Sequence, residues 1–255
     1  MSTYDPNNPT KEWYKCTTFL EILKNIGFYS FWISNHSKTG FADNPIGQYA
    51  NLCDTTYFNY KFNSAYDTRV KYDESLLGPL ADFKTKSTNG NNLYICHLMG
   101  SHYTFSSRYP TNYSKFKPND YKYRLEHQRK SISEYDNSIL YNDYIVSSVI
   151  SLFKNDDAII IYFSDHGLDL YYSGPNYCGH STTPKGNEFA TKVPFMIYAS
   201  NSFQQKHPEI ITRIKHNEHS SFCTSNLIYS IMDIVGVDFT DNPSVKTHSL
   251  LYQIE

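Results

Sequence analysis

The sequence contains no apolar run long enough to cross a bilayer. Its longest such stretches, for example Ala158 to Phe163, are of strand length, whereas a membrane helix needs about 20 residues. The N-terminus, MSTYDPNNPTKEWYKC, has neither a basic leader nor an apolar core, so no signal peptide is read there. The five cysteines, Cys16, Cys53, Cys96, Cys178 and Cys223, include no CxxC pair. Their odd, scattered set closes no disulfide framework and lacks zinc-finger spacing. An excess of positive charge is also missing. The chain has 23 Lys and Arg against 25 Asp and Glu, a formal charge of −2, which argues against nucleic acid as a partner. No internal repeat is present. Tyrosine, by contrast, is abundant at 24 residues. Base composition and a polar aromatic surface account for that excess, and the sharper reading is a surface for carbohydrate or lipid headgroups.

The 255 residues fit one domain with a sizeable core, spanning 1–255. Strand and helix patterns alternate along them. TTFLEILKNIGF places Phe19, Leu20, Leu23 and Ile26 on one helical face, with Thr18 and Glu21 as a capping box and Gly27 as the stop. YSFWIS follows as a strand. NLYICHLMG is a continuous apolar strand of the kind covered on both faces. SEYDNSILYNDYIVSSVISLFKN is a long amphipathic helix. DAIIIYFS and VPFMIYAS are further strands, and SFCTSNLIYSIMDIVGV is a late helix ending at Gly236. This rhythm predicts an α/β fold, a mainly parallel sheet sandwiched by helices. Residues 101–130 are polar, basic and Tyr-rich, and read as a long functional loop or a lid.

The stretch IIIYFSDHGLD ends a strand on two side chains able to bind metal, Asp165 and His166. Ligands of α/β sheets gather at the carboxyl ends of strands. LYICHLMGSH puts His102 just past another such end, and CGHSTTP adds His180 after a turn. One carboxylate and three imidazoles suit a zinc ion and an anionic substrate. Zinc there would activate a nucleophile or polarise a phosphoryl oxygen. The competing reading makes Asp165-His166 a turn and a helix cap. His97, inside a strand, reads as a core histidine. His127, His207, His216, His219 and His248 read as solvated. The spacing predicts that Asp165, His166, His102 and His180 share one pocket bordered by residues 101–130.

Several segments, in order, resemble the catalytic domain of phosphoethanolamine transferases in the alkaline phosphatase and sulfatase superfamily. They are TTFLEILKNIGFYSFWISNHSKTGFADNP, HLMGSHYTFSSRYP, EYDNSILYNDYIVSSVISLFK, FSDHG, and CGHS followed by KVPFMIYAS. The resemblance implies an alkaline-phosphatase/sulfatase-like fold. It implies Zn2+ held by Asp165 and His166. His102 and His180 would hold the substrate phosphate or a second zinc, and Asn35, His36 and Lys38 would make further substrate contacts. It implies transfer of phosphoethanolamine from a phosphatidylethanolamine donor to a lipid A or glycan acceptor. The full-length family would sit in the inner membrane with a periplasmic catalytic domain.

Two features depart from that pattern. The family's threonine nucleophile and an acidic zinc ligand lie upstream of the matching segments, and Thr17 and Thr18 start the wrong helix, so Thr18 reads as an N-cap. The family's Glu after Asp-His-Gly is replaced by Leu168, with Asp169 next. The expectation is an N-terminally truncated, partial domain, and its activity as an enzyme alone is left open. A sulfatase- or phosphodiesterase-type hydrolase of the same superfamily, a non-catalytic fragment, and a chain completed by a partner supplying the N-terminal part remain alternatives.

Overall fold

Strand β1 (Tyr29–Thr39) buries Phe31, Trp32 and Ile33 in succession. Side chains alternate along a strand, so three consecutive buried residues require cover on both faces. Phe31 and Ile33 pack with Leu76, Leu80 and Phe153 on one side. Trp32 packs with Phe19, Leu20, Leu23, Ala50, Ile228 and Met232 on the other. The computed structural model describes residues 2, 12, 15–39, 44–62, 71–87, 90–181, 187–238 and 247–252, with backbone alone at 44, 61 and 62. Most of the N-terminal stretch and residues 182–186, just beyond His180, lie outside the described residues.

The helices that supply this cover are α1 (Phe19–Asn25), α2 (Asn44–Ala50) and α8 (Leu227–Ile234) on one face, and α3 (Leu77–Lys86) and α4 (Glu126–Phe153) on the other. In α1, the Glu21 carboxylate accepts from the Thr18 N–H and hydroxyl, both at 2.8 Å. The Thr18 hydroxyl oxygen accepts in turn from the Glu21 N–H at 3.2 Å. The predicted capping box is therefore formed, and Thr18 is the N-cap.

β1 is central in a parallel three-stranded sheet, with β2 (Thr55–Phe62) on one edge and β3 (Asn92–His97) on the other. Ile33 lies opposite Tyr57 and Cys96. β4 (Ile159–Phe163) pairs antiparallel with β7 (Phe195–Ala199), Ile161 against Ile197. The late strand predicted from VPFMIYAS thus runs antiparallel to its neighbour, and among the described residues the two form a sheet of their own beside the parallel one. β3 is expected from its apolar run to be covered on both faces, yet it is only half-buried, as is β4. The reason is one unpaired edge apiece among the described residues, although Cys96, Leu98 and Ile160 share one apolar cluster.

Three elements complete the chain: the hairpin of β5 (Asp169–Leu170) and β6 (Cys178–Gly179), the short α5 (Glu188–Thr191), and the pair α6 (Asn201–Lys206) and α7 (Pro208–His216). Residues 98–125 have no long element, but they are fixed in place. Phe105, Tyr109 and Tyr121 are buried. Asn137 of α4 accepts from the Phe116 N–H and donates to its carbonyl, at 2.8 and 2.9 Å. Tyr121 bonds to Asp136. This segment is an anchored loop. Among the described residues, no helix is long and apolar enough to cross a membrane.

Candidate functional site

The carboxyl end of β4 turns at once into Asp165 and His166. His166 Nδ1–H donates to the Gly167 carbonyl at 2.9 Å. That bond fixes the tautomer and leaves the lone pair on Nε2. Nε2 lies 3.6 Å from Asp165 Oδ2, and the Asp165 side chain is 85 % exposed. Two acceptors facing each other at this distance repel unless a cation or proton lies between them. Gly167 itself is required by packing. A Cβ there would lie 2.1 Å from the Phe189 carbonyl oxygen, and the Gly167 N–H donates to Ala190 at 2.8 Å.

The β5–β6 hairpin carries the next imidazole back to this point. Asp169 pairs with Gly179, so His180 returns over His166. Their rings stack with centroids 4.0 Å apart and planes 25° apart. Asp169 stands near the family's acidic position but is fully buried. It accepts from the Tyr172 N–H at 2.8 Å and from Asn187 Nδ2 at 2.9 Å. Burial raises its pKa, but the hydrogen bonds from Ser173, Asn187 and Tyr172 outweigh that and hold it below the usual carboxylate range. It braces the hairpin.

A second imidazole pair sits at the ends of β1 and β3. The His36 and His97 rings stack at 4.1 Å. His36 Nε2–H donates to the Leu98 carbonyl at 3.1 Å, and His97 Nδ1 meets the Ser34 hydroxyl at 3.0 Å. Burial, and then the neighbouring His36, push the His97 pKa down to about 4, while Asp165 pulls it the other way. Asp165 is thus within electrostatic reach of His97 as well as of His166.

The remaining predicted positions divide. His102 is exposed. Its Nδ1–H donates to the Tyr103 carbonyl at 2.6 Å, and its own carbonyl accepts from Arg108 Nε at 2.8 Å. Lys38 is exposed, with Nζ 5.9 Å from the Phe58 ring centroid. Asn35, expected as a substrate contact, is 1 % exposed. Its amide donates to Asp73 at 2.7 Å and to the Lys71 carbonyl at 2.9 Å, and its oxygen accepts from Asn59. As placed, Asn35 is a brace. Buried Asp73 also accepts from the Met99 and Gly100 N–H groups, at 2.9 and 2.8 Å. It thereby clamps the turn after β3, where Gly100 has φ +55°. No local pattern in YDESLLGPL signals this role, because the bonded amides lie 26 and 27 residues downstream.

Asp165, His166 and His180 are of the donor type zinc takes, and the facing acceptors of Asp165 and His166 suit a cation. Among the described residues, no three such groups are already gathered into a cage. The fit is that of two ligands with a third imidazole beside them.

Comparison with known proteins identifies the family. A family profile described as Sulfatase matches residues 1–237. Phosphoethanolamine transferase EptC of Escherichia coli K12 is 27 % identical over 236 residues, covering 87 % of this chain and 38 % of EptC. Phosphoethanolamine transferase EptA of Helicobacter pylori is 37 % identical over 181 residues, covering 68 % of this chain and 33 % of EptA. The chain therefore spans under half the length of these relatives. The crystal structure of the C-terminal periplasmic domain of E. coli EptC in complex with Zn superposes with a TM-score of 0.84 at 25 % identity, over 100 % of this chain and 71 % of that one. The chain belongs to the Sulfatase family, and the relatives it resembles within that family are phosphoethanolamine transferases.

Proposed function

We propose that these residues form part of a zinc-dependent catalytic domain that moves phosphoethanolamine from a phosphatidylethanolamine-type donor to a lipid A or glycan hydroxyl. One observation carries the reading: His166 Nε2, its lone pair set by the bond to Gly167, faces Asp165 with His180 stacked behind it. Asp165 and His166 would hold the metal. Bound zinc would supply Lewis acidity at the phosphoryl oxygen and lower the pKa of an attacking hydroxyl. His180, His36, Lys38 and His102 would orient the phosphate and stabilise charge as it is transferred. The reaction takes two displacements. A protein hydroxyl accepts phosphoethanolamine and releases diacylglycerol, and an acceptor hydroxyl then takes it from the protein. Thr18 does not suit the first role, since its hydroxyl is buried in the capping box.

The test has two arms. Mass spectrometry after incubation with phosphatidylethanolamine and zinc should show no adduct on Thr17 or Thr18. Slow zinc-dependent hydrolysis of an activated phosphodiester should be abolished in His166→Ala and weakened in His180→Ala. Hydrolysis indifferent to both substitutions would overturn the assignment, and faster cleavage of an aryl sulfate would turn the reading to a sulfatase.

A further inference from the structure

Between residues 101 and 130 the chain places seven Lys and Arg against two acidic residues, although its overall formal charge is −2. Part of this charge lies in a ledge of two loops. The Arg124 guanidinium is held between two tyrosine faces, 5.6 Å from the Tyr123 ring centroid and 4.8 Å from that of Tyr172. It has no hydrogen-bond acceptor among the described residues, and its Nε is buried unpaired. Tyr123 is 76 % exposed, Tyr172 57 % and Leu125 53 %, and Lys122 is exposed beside them.

The ledge is rigid. Arg129 donates to the Arg124 and Lys122 carbonyls at 3.0 and 3.3 Å. His127 and Gln128 both reach the Pro175 carbonyl at 2.9 Å, tying the start of α4 to the hairpin loop. Tyr172 stacks on Phe189 at 4.6 Å, and the Phe189 carbonyl abuts Gly167. The ledge is thus built on the strip that carries Asp165 and His166.

Exposed tyrosine and leucine beside unneutralised cations match the border between lipid headgroups and acyl chains. An acidic protein would satisfy the charge but gives no reason for the exposed aromatic and aliphatic side chains. We infer that the Lys122–Leu125 and Tyr172 ledge docks onto a bilayer surface bearing anionic headgroups, and so sets the mouth of the Asp165–His166–His180 site against the membrane. The surface stands on its own composition, and only its use in catalysis rests on the proposed transfer.

Flotation of the 255-residue chain with phosphatidylcholine vesicles, with or without about one-third phosphatidylglycerol, tests this. Binding is expected only to the anionic vesicles and should fall as salt rises. It should drop about tenfold or more in Lys122→Glu/Arg124→Glu. It should drop several-fold in Tyr123→Ser, which removes a largely exposed ring. Asp165→Asn and His166→Ala should bind as the parent does, so loss of the metal chemistry and loss of the surface are read separately. Equal binding to neutral and anionic vesicles, parent-like binding by both ledge variants, or capture by polyglutamate without vesicle binding would overturn the inference.

Discussion

His166 and His180 lie face to face, 4.0 Å between ring centroids, with the free nitrogen of His166 directed at Asp165. Removing either side of that contact should separate metal holding from anion holding. In calorimetric zinc titration of the 255-residue chain, His166→Ala and Asp165→Asn are each expected to weaken zinc at least about tenfold. His180→Ala should weaken it less. Equal losses from all three would make His180 a direct ligand.

His97 predicts a pH dependence of stability. Its folded pKa, lowered to about 4 from 6.5 by burial and by His36, means that the unfolded chain binds the proton first. The stability conferred by neutral His97 is therefore complete above pH 6.5 and is lost as pH falls from 6.5 towards 4. The shift corresponds to roughly 3 kcal/mol. Urea denaturation at stepped pH should show this slope in the parent and a flatter profile in His97→Gln.

Thr18→Ala removes the hydroxyl that accepts from Glu21 and donates to it. The expected cost is about 1 kcal/mol, typical of a lost N-cap. It should appear as a lower denaturation midpoint with no effect on zinc affinity.

Asp73→Ala strands three buried or half-buried donors: the Met99 and Gly100 N–H groups and one N–H of the Asn35 amide, whose other N–H keeps the Lys71 carbonyl. A loss of about 3 kcal/mol or more is expected. The exposed pair partner Glu188 serves as the control, and Glu188→Ala should cost under about 0.5 kcal/mol. Denaturant unfolding of both variants checks the contrast.

The elements visible in the sequence were those with strong periodicity and a clear punctuation mark. The helix capped by Thr18, the β1 run through Phe31 and Ile33, and the strand ending at Asp165 all stand where their patterns put them. β2 was missed because TTYFNYKF mixes polar and aromatic residues at an edge, where packing dictates little. α3 contains Gly78 and Pro79, which read as a turn until its neighbours are known. At the site, strand-end logic brought out Asp165, His166 and His180. The stacking of His36 on His97 depends on the register of two strands 63 residues apart, Ser34 against His97, which no local pattern contains.

The Asp73 clamp also determines how an anion can be recognised at this end of the sheet. Backbone amides at a strand end commonly serve as a fixed cradle for phosphate, with donors that never titrate and never leave. Here the Met99 and Gly100 amides are already taken by a carboxylate of the protein itself. In the proposed transfer, recognition of a phosphate at this turn would fall to imidazoles and lysine, which titrate, and to a metal, which can dissociate. Under that proposal, grip on substrate would be a variable of the surroundings, adjustable by proton and metal supply, where a backbone cradle would have made it a constant of the fold.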